Sequence, residues 1–196
     1  LILSYGVIEM KIVGIAGSMN ANSTTKQAVQ IVLAAAKEAG ATVEMIHLAD
    51  WNLPIYDDRE DASTYPESVH AFTKAISEAD GLVIGSPEYH GTITGALKNA
   101  LDFLEGRHLR DKQVALIGTA GGSMGATNTV NTLQLIMRSL HAWPLPSSPS
   151  VPSAYNAFTP EGKLKDERLQ ARMEALGKQL VQFVQMMNLN REKQLN

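Results

Sequence analysis

Four short apolar runs constrain the fold of this 196-residue chain more tightly than any other feature. They are Ile12 to Ala16, Val43 to Leu48, Gly81 to Gly85 and Val114 to Gly118, and each is followed by residues whose apolar positions recur at helical spacing. The first run leads to Val29, Val32, Leu33 and Ala36, with Gly40 as the stop. The second leads, after a long acidic and proline-bearing connection from Asp50 to Tyr65, to Val69, Phe72, Thr73 and Ile76. The third leads to Leu97, Leu101 and Leu104, and the fourth to Val130, Leu133, Ile136, Met137 and Leu140. A fifth strand, short and irregular because of its prolines, is expected near Ser148 to Val151. A final amphipathic helix is expected from Asp166 to Met187, with Leu169, Met173, Leu176, Leu180 and Met187 on its apolar stripe. Strands that alternate with helices in this way imply a parallel sheet covered on both faces by right-handed crossovers.

The alternating second run fits a strand near a sheet edge, and five strands favour the order 2-1-3-4-5, with the switch point between the first and third. The expected architecture is thus a doubly wound α/β domain over residues 10–187. Residues 1–9 read as an extension that carries no chemistry, and 188–196 as a polar tail. Length suits one domain. A net charge of -3 gives no basic footprint for nucleic acid, no apolar run is long enough to span a bilayer, and no export signal is recognisable. The absence of cysteine removes thiolate metal sites, disulfides and a cysteine nucleophile, and is compatible with a reducing cytoplasm. His47, His70, His108 and His141 have no metal-ligand spacing, and Asp57, Asp58, Glu60 and Asp61 read as a solvated acidic loop.

In the order 2-1-3-4-5, the loops after strands one, three and four open at the carboxyl edge of the sheet, where doubly wound folds bind ligands. All three are unusual. Ser18, Asn20, Asn22, Ser23 and Thr24 place hydroxyls and amides at a helix N-terminus, where free N–H groups and the helix dipole favour a phosphate. The loop matches neither GxxxxGK[ST] nor GxGxxG, so a monophosphate fits better than a triphosphate or a standard dinucleotide. Pro87, Glu88, Tyr89 and His90, next to Gly91, form a stiff polar loop with an aromatic face suited to a planar ring. Gly121, Gly122 and Ser123 would approach the other polar edge of that ring. Taken singly, a Ser/Asn cluster is most often an N-cap and a glycine a turn former; three such loops at one edge point to a ligand.

The third-strand loop also carries a family signature. Ser86-Pro87-Glu88-Tyr89-His90-Gly91-Thr92-Ile93-Thr94-Gly95-Ala96-Leu97-Lys98-Asn99-Ala100-Leu101-Asp102 resembles S-P-E-Y-N-x-S-x-x-G-x-L-K-N-A-x-D of the NAD(P)H-dependent FMN reductases. The likeness extends to Gly17-Ser18, Ser23, Leu53-Pro54-Ile55-Tyr56-Asp57 and Gly121-Gly122 with Gly125. It implies a flavodoxin-like fold, an assembly of two or four copies, and FMN that carries electrons from NADPH or NADH to flavin, quinone, azo, chromate or ferric acceptors. By the same resemblance Ser18, Asn20 and Ser23 would hold the FMN phosphate. Pro87, Glu88, Tyr89 and His90 would contact the isoalloxazine and ribityl chain, and Gly121, Gly122 and Ser123 the pyrimidine side.

Two departures stand out: Asn20 where many members have arginine, and His90 where members usually have asparagine. They imply weaker FMN binding and a flavin that exchanges as a substrate. No catalytic acid, base or nucleophile is required for hydride transfer, and His90 is at most a modulator of charge. The alternatives are a quinone or azo reductase that holds FMN tightly, a flavodoxin-like electron carrier without nicotinamide oxidation, and a phosphate-binding regulatory module. Trp143, Tyr155 and Phe158 are candidates for the acceptor side. Leu97, Leu101 and Leu104 and the C-terminal stripe are candidates for subunit contact.

Overall fold

The apolar runs form the centre of a parallel sheet. The computed structural model describes residues 10–195; the expected extension at 1–9 lies outside them. β1 (Lys11–Ala16), β2 (Thr42–His47), β3 (Gly81–Pro87) and β4 (Gln113–Thr119) lie in the order β2-β1-β3-β4, all parallel. β3 and β4 are buried at every position, as expected of strands covered on both faces. β2 is partly exposed and occupies an edge, in keeping with its alternating sequence.

The fifth position of the sheet is filled by two fragments. β5 (Trp143–Pro144) pairs with Gln113 and Val114 at the start of β4, and β6 (Ser150–Val151) pairs with Gly118 and Thr119 at its end. Pro144, Pro146 and Pro149 lack the N–H groups that a continuous strand would donate. The strand expected near Ser148 to Val151 is therefore only the second fragment.

Two layers of helices cover the sheet. On one face lie α1 (Thr24–Glu38) and the C-terminal α7 (Glu167–Leu195); Met173, Leu176, Leu180, Val181 and Val184 of α7 are buried in a core with Val29, Val32 and Ala36 of α1. Gly177 is the contact point, since a Cβ there would overlap the Val32 carbonyl and crowd Ala35. On the other face lie α2 (Glu67–Glu78), α3 (Gly95–Asp102) and α5 (Thr127–Ser139), around Phe72, Ile76, Leu97, Leu116 and Leu133. Two single-turn helices, α4 (Gly106–Leu109) and α6 (Ala154–Ala157), complete the chain.

Three expectations need adjustment. α7 continues beyond Met187 to Leu195, so most of the segment taken as a polar tail is helical. α3 ends at Asp102, and Leu97, Leu101 and Leu104 are core residues buried to within 5% exposure, with no surface left for a neighbouring subunit. The acidic connection has its own order: the Arg59 guanidinium and the Tyr65 hydroxyl both donate to Asp57 and hold its carboxyl down to about 2.

Candidate flavin site

Hydrogen bonds, more than side-chain bulk, set the shape of the carboxyl edge. Gly17 donates its N–H to the Gly85 carbonyl at 2.8 Å, and its own carbonyl accepts from the Thr94 hydroxyl at 2.5 Å. A Cβ at Gly17 would stand 2.8 Å from Leu97 Cβ, so the first loop lies directly on α3. Thr94 also caps α3, accepting from the Leu97 N–H at 3.1 Å. Buried Ser86 receives the Thr94 N–H at 3.2 Å. The first and third loops are thus one hydrogen-bonded unit.

Within the first loop, Ser23 caps α1 by accepting from the Lys26 N–H at 3.0 Å, and Ser18 accepts from the Asn20 N–H at 3.2 Å. Asn20 in turn accepts from the Asn22 N–H at 2.9 Å. Ser18 and Ser23 are buried, while Asn20 and Asn22 are exposed. Thr24 and Thr25, at the first two helical positions, have N–H groups without intrahelical acceptors, the geometry in which helices receive anions. Residues that line the cleft supply no cation, so hydroxyls, amides and the helix dipole are its means of meeting negative charge.

The third loop is a tight turn. Tyr89 and Thr92 exchange backbone hydrogen bonds at 3.0 and 3.3 Å around His90 and Gly91, whose φ angles are +53° and +80°. Two consecutive left-handed residues make a turn in which asparagine, aspartate or histidine precedes glycine at low cost. This explains the position of His90: it is exposed, and its backbone conformation is one that asparagine shares. The N–H groups of Glu88 and Tyr89 are engaged by the Thr119 and Thr92 carbonyls and so are not free to face a ring. The Glu88 carboxylate accepts from the Thr129 N–H at 3.0 Å and so caps α5, whose own N-cap residue Ala126 offers no side-chain oxygen. Glu88 therefore ties the third loop to the helix that leaves the fourth.

One cleft gathers Ser18, Asn20, Asn22, Ser23, Thr24, Pro87, Glu88, Tyr89 and Gly121. His90, Gly122 and Ser123 belong to the same loops but lie outside that lining. Thr25, Thr119, Ala120 and Ala154 also line it and were not among the residues read from the sequence as binding; Tyr155, a candidate for the acceptor side, lines it too. Thr25 and Thr119 join α1 to the end of β4 through a buried hydroxyl pair at 2.6 Å. Tyr155 is 76% exposed and its ring rests on Gly121, where a Cβ would come within 2.9 Å of it. Only its place in the Pro/Ser-rich segment hinted at this role. Trp143, a companion candidate, lies at the opposite end of β4, and Phe158 packs against the α1–α7 core.

The donor set suits a flavin mononucleotide. Buried hydroxyls and a helix N-terminus match a phosphate, the half-exposed Tyr89 and the exposed Tyr155 offer aromatic faces to a planar ring, and Gly122 has no neighbour within 4 Å that would exclude a side chain. The chain's own packing thus does not require a glycine at 122, whereas close approach of a ligand would.

Comparison with known proteins agrees with this geometry. Residues 10–156 match the family model described as NADPH-dependent FMN reductase. An FMN-dependent NADPH-azoreductase of Staphylococcus saprophyticus is 32% identical over 182 residues, 89% of this chain and 95% of that protein. An NAD(P)H-dependent FMN reductase of Pseudomonas aeruginosa is 29% identical over 177 residues, 86% of this chain and 94% of that protein. A flavodoxin from the domain Archaea superposes with a TM-score of 0.64 at 13% identity, covering 90% of this chain and 99% of that one, which shows a shared flavodoxin-like fold. By the extent of the family match and the identity to full-length relatives, this chain belongs to the NADPH-dependent FMN reductase family.

Proposed function

We propose that the three loops form the FMN site of an NAD(P)H-dependent oxidoreductase, with the phosphate at the N-terminus of α1 and the ring between the Tyr89 turn and the Gly121-Gly122 loop. The observation that carries this reading is the convergence of a hydroxyl-rich helix N-terminus, an aromatic turn and the Gly121 loop at the carboxyl edge of the sheet, beside its switch point. Ser18, Ser23 and the amides of Thr24 and Thr25 hold the phosphate; Asn20 and Asn22 shape the loop around it. Pro87 and Tyr89 flank the ring. Gly121, Gly122 and Ser123 present backbone groups to its pyrimidine edge. Glu88 acts through structure, since its carboxylate is committed to α5.

When bound, FMN supplies the chemistry of accepting hydride from the nicotinamide and passing electrons to an acceptor. The protein's part is to orient the two rings and exclude water, which needs no acid, base or nucleophile from the chain. His90 occupies its place by backbone conformation and is not required for transfer. Without a cation in the cleft lining, the phosphate is held by neutral donors, which favours a flavin that exchanges over one held permanently. Among the described residues no helix is long and apolar enough to cross a membrane. The reading places the enzyme in the cytoplasm, as a homodimer or homotetramer.

Mixing the purified protein with FMN anaerobically, then adding NADPH or NADH, tests the activity. Rapid loss of flavin colour with at least one nucleotide is expected, and colour lost on gel filtration would identify exchanging flavin. No bleaching above that of free FMN with either nucleotide would refute the enzyme reading.

A further inference from the structure

The amino end of β4 borders a second cavity. A cavity of about 570 Å³, within the range of small-molecule pockets, opens between the end of α4, the end of α5 and β5. Arg110, Asp111, Arg138, His141 and Trp143 line it. β4 runs seven residues from there to Thr119, so about 20 Å of strand separates this cavity from the flavin cleft. A molecule in one does not touch the other.

Three independent features mark it as more than a surface dent. First, among the described residues neither Arg110 nor Arg138 has a carboxylate within ion-pair distance, in a chain of net charge -3. Asp111 is the one carboxylate of the lining, and it accepts the indole N–H of Trp143 at 3.4 Å, which fixes the ring's orientation. Second, Trp143 is 58% exposed, a flat apolar face left in solvent beside two guanidinium groups. Third, Asp111 and His141 both adopt left-handed backbone conformations, with φ of +62° and +61°. Each follows a helix end, where glycine is the low-cost choice, yet both positions keep a polar side chain that reaches the cavity. The His141 ring rests on Gly106, where a Cβ would come within 2.6 Å of it, so α4 also carries a residue small enough to seat that ring.

We propose that this cavity binds a flat aromatic anion, its ring stacked on Trp143 and its phosphate, sulfonate or carboxylate held by Arg110 and Arg138. Guanidinium groups pair with such oxyanions through planar, forked donors, and an exposed indole provides the stacking face. Arg110 and Arg138 bring two positive charges to the lining against the one negative charge of Asp111, which selects anions.

The test is calorimetric titration of protein carrying one equivalent of FMN, with no free flavin, with adenosine 5′-monophosphate, with naphthalene-2-sulfonate and with inorganic phosphate. Saturable binding of at least one aromatic anion, tighter than phosphate, is expected. The nucleotide binding more tightly would point to a cellular nucleotide, and the sulfonate to foreign arenes. Arg110→Gln combined with Arg138→Gln, two exposed changes that leave the core untouched, should weaken that binding tenfold or more, as should Trp143→Ala, with flavin affinity preserved. The proposal fails if neither aromatic anion binds, if phosphate binds as tightly, or if the double variant binds unchanged. It also fails if Trp143→Ala dissociates the native assembly in sedimentation velocity while remaining folded, because the cavity would then be a subunit contact.

Discussion

The first and third loops of the carboxyl edge are stitched together, whereas the loop from Ala120 to Gly125 is held mainly at its ends. Gly17, Ser86 and Thr94 are buried and share four backbone or hydroxyl hydrogen bonds with each other and with Gly85 and Leu97. In the other loop, residues 121–124 are all exposed, and it is fixed by Ala120, which donates to the Val151 carbonyl and accepts from the Ala154 N–H, by Ser153 N–H to the Gly122 carbonyl, and by Ala126 N–H to the Ser150 hydroxyl. A phosphate demands donors placed in advance, while a ring edge is served by backbone that can approach it. In the proposed FMN site the stitched unit would hold the phosphate and one flank of the ring, and the freer loop would meet the ring's polar edge.

Substitutions can break this contrast. Gly17→Ala should have the largest effect: the added methyl meets Leu97 and the Gly85 carbonyl, neither of which can withdraw freely. A loss of about 2–3 kcal/mol in urea denaturation is expected, with FMN binding weakened in step. Ser23→Ala removes the α1 cap and should cost ~1 kcal/mol of stability while lowering FMN affinity by a larger factor than riboflavin affinity. Gly122→Ala should sharpen the comparison from the other side. Nothing lies within 4 Å of its Cβ and its φ is not positive, so the melting point should hold within the spread of surface changes, roughly 0.5 kcal/mol, while flavin affinity falls. His90→Asn should do least, leaving single-turnover flavin reduction unchanged because asparagine accepts the same left-handed conformation. A large drop in that rate would give the imidazole a chemical role.

The difference between the loops also explains what could be read from sequence. β1, β3 and β4 were legible because parallel strands buried on both faces leave uninterrupted apolar runs, β2 because its alternation fits an edge strand, and the switch point followed from their number and order. The Ser23 cap was legible because capping is local. Tertiary bonds were not. Nothing in Pro87-Glu88-Tyr89 signals that Glu88 reaches Thr129, or that its N–H is taken by Thr119, since both partners lie more than thirty positions away. Tyr155 was a candidate for the acceptor side, but its seat on Gly121 was not legible, and Thr25 escaped because its partner is Thr119. The left-handed backbone at His90 was hidden behind a glycine that accounted for the turn by itself. β5 was missed because prolines made its segment resemble a loop.

In the proposed site the N-terminus of α1, with Ser18 and Ser23, captures the FMN phosphate. Comparing the dissociation constants of FMN and riboflavin, which lacks only that phosphate, tests it most directly. FMN should bind at least tenfold more tightly, and Ser23→Ala should narrow the gap; equal affinity for the two flavins would contradict the assignment.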